Sequence, residues 1–103
     1  LANIVGVRLE EGENLCIIRM RALDNYTFGR LNTKPLHDSQ KVILYPDWKT
    51  GREYGEFEIT VIPNVELIGQ ILSYGSYLQV LSPENFKKRI STEINRMYCH
   101  YPE

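Results

Sequence analysis

Residues 54–62 read YGEFEITVI. Phe57, Ile59 and Val61 alternate there with Glu56, Glu58 and Thr60, the period of two that a half-buried β-strand imposes. Just upstream, residues 41–45 (KVILY) predict another strand. The intervening 46–51 (PDWKTG) is a turn in which Gly51 supplies a positive φ. The two strands should therefore form a hairpin. Downstream, Pro63-Asn64 ends the strand and Asn64 is suited to cap a helix. Residues 65–74 (VELIGQILSY) place Leu67, Ile68, Ile71 and Leu72 on one helical face, and Gly75 should stop that helix in the left-handed conformation.

The same reading extends to both ends. Residues 15–22 (LCIIRMRA) predict a strand with Cys16, Ile18, Met20 and Ala22 on one face and Arg19 and Arg21 on the other. Asp24 or Asn25 should cap a short helix over 26–34, with Phe28 and Leu31 inward, ending before Pro35. Residues 76–81 (SYLQVL) predict a fourth strand. A last helix should start with Ser82 as cap and Pro83 in its first turn. Phe86, Ile90, Ile94, Met97 and Tyr101 make a stripe at spacings of 4, 4, 3 and 4, expected to lie on the core. The order β-α-β-β-α-β plus a terminal helix predicts an α+β, ferredoxin-like sandwich with an added C-terminal amphipathic helix. In that arrangement the helices cover one sheet face and leave the other open. Residues 3–9 (NIVGVRL) predict one further strand followed by a turn over 10–14; residues 1–13 are expected to be a connector and 14–103 the domain.

Composition narrows the class. The chain has 103 residues, 43% hydrophobic, 11% aromatic and 24% charged, with a formal net charge of −1. Those values fit one globular domain and exclude disordered and collagen-like chains. No apolar run approaches the ~18 residues of a membrane span, and no signal peptide is visible. The charge balance gives no basic field for strong non-specific DNA binding. The two cysteines, Cys16 and Cys99, form no C-x-x-C unit and are expected to be reduced, partly buried thiols of a cytoplasmic protein. The chain begins at Leu1 rather than Met, as a piece of a longer protein would.

Residues 33–40 (TKPLHDSQ) resemble the PLHxSQ string after the first helix of WYL-domain transcriptional regulators. Residues 72–75 (LSYG) with 80–84 (VLSPE) resemble their LLSFG…VLEPE segment. The last helix resembles the family's closing amphipathic helix, and residues 4–7 (IVGV) resemble the strand that leaves the WYL domain. Across nearly the whole chain the resemblance is to the C-terminal extension, or WCX domain, of these bacterial regulators. It implies a non-enzymatic module of regulation or oligomer assembly, with no cofactor. The implied partners are its own WYL and winged helix-turn-helix domains, a second copy of itself, or a small anionic or nucleotide ligand. DNA would be met only through the helix-turn-helix domain, which is absent here along with the Trp-Tyr-Leu signature, and no membrane is implied.

Two clusters carry the chemistry expected of a site. His37, Ser39 and Gln40 sit at the first helix-to-strand turn, where they either bind a small polar ligand or satisfy backbone groups as the chain turns. Arg19 and Arg21 on the open sheet face, with Tyr45 or Tyr77 nearby, suit a phosphate, a carboxylate or a stacked base. The competing reading is cross-strand pairing with Glu56 and Glu58, and those acids argue against an RNA platform. Lys87-Lys88-Arg89 reads as a solvated helix face. His37 and His100 lie too far apart for a metal pair, and the adjacent Cys99 and His100 do not face each other on a helix. An ACT-like small-molecule-binding domain, in which a metabolite rearranges a dimer, is the alternative on fold analogy. An acylphosphatase-type enzyme is disfavoured because residues 23–25 form no phosphate loop.

Overall fold

The computed structural model describes residues 14–103. The expected connector strand over 3–9 and most of the turn after it lie outside the described residues. Within 14–103 the order is β1 (Cys16–Ala22), α1 (Asn25–Thr33), β2 (Lys41–Leu44), β3 (Gly55–Val61), α2 (Val65–Leu72), a 3-10 turn (Gly75–Tyr77), β4 (Leu78–Ser82) and α3 (Glu84–Cys99). The four strands form one antiparallel sheet in the order β2-β3-β1-β4. The fold is α+β, as expected, and β1 and β3 are the two central strands.

The register settles which side chains share a face. Ile18 pairs with Ile59 and Met20 with Phe57. These four are fully buried and join Phe28 and Leu31 of α1, Leu67, Ile68 and Ile71 of α2, and Phe86 and Ile90 of α3 in one core. The buried residues of all three helices thus meet the same sheet face. Each such side chain contributes about 1.5–3 kcal/mol of transfer free energy. The intervening pairs, Arg19 with Glu58 and Arg21 with Glu56, fall on the opposite face.

The helix starts follow from orphan amides. Asp24 Oδ1 accepts from the Thr27 amide at 2.8 Å, and Asn64 Oδ1 from the Leu67 amide at 2.7 Å. The Thr27 backbone amide, helped by its hydroxyl, holds the Asp24 carboxyl below its ordinary value. A carboxyl lowered on folding adds stability above its unfolded pKa and loses it as pH falls through the folded one. Asp24→Asn keeps a capping oxygen but cannot titrate. Its midpoint of denaturation should therefore change less between about pH 5 and pH 2 than that of the wild type; equal slopes would contradict the cap's role.

Five expectations are corrected. The 65–74 helix stops at Leu72, and the strand expected from residue 76 starts at Leu78. Gly75, at φ +63°, redirects the chain into the 3-10 turn instead. Ser82 is not the cap of α3: it pairs with Arg19 as the last residue of β4, so the cap position falls to Pro83, which offers no side-chain bond. The α3 stripe lies on the core only at Phe86 and Ile90, whereas Ile94, Met97 and Tyr101 are exposed. Sixteen residues make a helix of ~24 Å, while the five-residue strand beside it spans only ~17 Å. Cys99, on that outer half, is exposed rather than partly buried; Cys16 is half-buried, and both are free. No helix among the described residues is long and apolar enough to cross a membrane.

Candidate functional site

The open sheet face carries Arg19, Arg21, Lys41, Glu56 and Glu58 by register. Arg21 places Nε at 3.0 Å and Nη2 at 2.7 Å from a single oxygen, Glu56 Oε2. Its guanidinium also lies 4.2 Å from the ring centroid of Tyr54. Glu58 stands between Arg19 and Lys41, 3.6 Å from each. These cations are therefore committed to carboxylates, with two acids neutralising most of the positive charge. Glu56 is buried, so Arg21 is its counter-charge rather than a free anion receptor.

Neither of the two tyrosines expected beside the arginines stacks on Arg19 or Arg21. Tyr45 packs on Phe28, with ring centroids 5.8 Å apart, and Phe28 belongs to the helix-covered core. Tyr77 lies in the 3-10 turn before β4, at the opposite sheet edge from β2 and Tyr45. Its carbonyl accepts from the Leu23 amide. The ring that does meet Arg21 is Tyr54, which the sequence pattern does not single out.

The loop between α1 and β2 uses its polar groups on its own backbone. Gln40 Oε1 accepts from the Leu36 amide at 2.9 Å, while its Nε2 donates to the Leu31 carbonyl at 2.8 Å. One amide side chain thus closes the end of α1 and fixes the turn after Pro35. The Ser39 hydroxyl accepts from the Thr60 amide at 2.9 Å and lies 3.2 Å from the Thr60 carbonyl, tying the chain to β3 two positions beyond the Lys41–Glu58 pair. His37 Nδ1 accepts from the Ser39 amide at 3.0 Å, which puts the neutral ring's proton on Nε2. The three residues are brought together, but their bonding is spent on the turn.

Two further features emerge only in three dimensions. The outer half of α3 presents Ile94, Met97 and Tyr98 to solvent, and Tyr101, just past its end, is exposed as well. A groove of about 510 Å³ runs along the outer face of α1, lined by Tyr26, Gly29, Arg30, Lys34 and Tyr74 among others. Among the described residues no group of three His, Cys, Asp or Glu side chains comes together as a metal site would need. No protein-family model matches the chain, and no curated protein matches it significantly.

Proposed function

We propose that this chain is a non-catalytic module of regulation and assembly, and that it associates with a second copy of itself through the outer half of α3. The exposed stripe on α3 carries the reading. Ile90, Ile94 and Met97 follow spacings of 4 and 3 on α3, the step of a coiled-coil seam, and Tyr101 comes just past the end of the helix. Ile90 is buried in the domain, whereas Ile94 and Met97 are about half exposed and Tyr101 is 79% exposed. A seam that leaves the body of its own domain is suited to an isologous contact, because two copies present the same surface to each other.

The family reading rests on the resemblance of residues 33–40, 72–75 and 80–84 to the C-terminal extension of WYL-domain regulators. The α+β fold is compatible with it, and we read the sheet order β2-β3-β1-β4, with helices after β1 and β3 packed on one core, as ferredoxin-like. In a cytoplasmic bacterial regulator such a module acts by population shift. Pairing of the extensions, or a ligand bound to them, biases the spacing of the attached DNA-binding domains.

Met97→Glu together with Ile94→Glu places like charges in the proposed seam without touching Phe86 or Ile90. The double variant should keep the wild-type circular dichroism and melting profile while losing self-association by about tenfold or more, a change of ~1.4 kcal/mol or greater. Undiminished association in a folded double variant would overturn the reading.

A further inference from the structure

The groove on α1 combines three properties that its structural role does not require. The first is unpaired positive charge. Arg19, Arg21, Lys41 and Arg96 each have a carboxylate within 4 Å. Among the described residues Arg30 and Lys34 have none, as is true of Lys49, Arg52 and the Lys87–Arg89 run, but Arg30 and Lys34 share a groove that no Asp or Glu lines. Arg30 lies in the last turn of α1 and Lys34 is the residue that ends it, and both line the groove.

The second property is aromatic surface. The Arg30 guanidinium lies 4.7 Å from the ring centroid of Tyr74 and 5.8 Å from that of Tyr26. Stacking occupies the face of a guanidinium and leaves its N–H edge for an acceptor. Tyr26 is 74% exposed, so much of it is open to a planar ligand.

The third is a notch. Gly29 sits inside α1, where glycine is a poor helix former, yet a Cβ there would meet nothing within 4 Å. No atom stands over that position, so the groove is open above Gly29. The end of the helix would ordinarily repel an anion. Here its last carbonyls are already occupied: Gly29 O accepts from the Thr33 hydroxyl, Arg30 O from the Lys34 amide and Leu31 O from Gln40 Nε2. Past Lys34 the groove opens into a second hollow of about 520 Å³ beside Leu36, Gln70 and Ser73. Both volumes fall in the size range of small-molecule sites.

We propose that this groove binds a small planar aromatic anion, its ring stacked against the exposed Tyr26 and its phosphate or carboxylate held by Lys34 and by Arg30, which Tyr74 backs. The site shares no residue with the α3 seam, so it stands or falls separately from the assembly reading.

Adenosine monophosphate and salicylate are the probes, titrated into the full chain by calorimetry and by amide chemical shifts. Adenosine and inorganic phosphate serve as controls that carry only the ring or only the charge. At least one probe should bind at roughly millimolar dissociation constant or tighter, shifting the amides of residues 26–34 and of Tyr74. Which probe binds distinguishes a phosphate from a carboxylate ligand. Arg30→Gln with Lys34→Gln should weaken binding about tenfold or more. Gly29→Trp should abolish it by filling the notch, and the smaller Gly29→Ala should leave it nearly intact. The proposal is overturned if neither probe binds at millimolar concentration. It is equally overturned if affinity survives the double substitution in a folded protein, or if adenosine or phosphate alone binds as well as the probe.

Discussion

Phe57→Ala should cost about 3–5 kcal/mol, the usual loss for a buried aromatic truncated in a core that cannot collapse around the gap. Phe57 is fully buried, and its ring is stacked on Phe28 at 4.8 Å. It lies on β3, which is paired on both sides by β1 and β2, so strand pairing holds the backbone while the cavity opens. Phe28 has little room to follow. Its ring lies over Gly55, where an added Cβ would come within 2.4 Å of Cδ1. Domains of this size are stable by roughly 5–15 kcal/mol, so the variant should lose a large share of its folded margin. Denaturant titration checks this, and a loss under about 1 kcal/mol would mean that the core is not closed as described.

Arg21→Ala should destabilise by about 2–3 kcal/mol, below the range for a fully buried pair because the Arg21 side chain is one-third exposed. Removing Arg21 strands Glu56, whose side chain is only 10% exposed, without its two hydrogen bonds and its counter-charge. Arg19→Ala, two residues away on the same face, should cost no more than about 1 kcal/mol. Its carboxylate is 3.6 Å away and retains Lys41. Adding Glu56→Gln to Arg21→Ala should recover part of the loss, because the stranded charge is gone. Equal effects at Arg19 and Arg21 would show that the two pairs are alike and the burial of Glu56 is unimportant.

The features legible in the sequence are those set by local periodicity and local caps. The alternation around Phe57 places β3 within a residue of its bounds, and Asp24 and Asn64 cap the helices expected of them. The faces of β1 follow from the same alternation. Which acid meets which arginine depends on register, and register appears only when β1 and β3 are laid side by side. The end of the sheet is not a local property either. A stripe from Phe86 to Tyr101 says that one face of a helix is apolar, but not that β4 stops short of its outer half. The α1 groove was hidden for a different reason. Tyr26, Arg30 and Lys34 are a helical stripe in the sequence, but Tyr74, the ring that stacks on Arg30, comes from 40 positions beyond Lys34. In residues 37–40 the residue types signal a polar cluster, and only the bond partners show that it is committed to the turn.

The claim that α3 joins two copies is tested most directly by the molar mass of the wild-type chain in solution, measured by light scattering across a concentration series. The account predicts a mass that climbs from that of one chain toward that of two as concentration rises, reversibly on dilution. A mass that stays at one chain up to roughly millimolar concentration would contradict it.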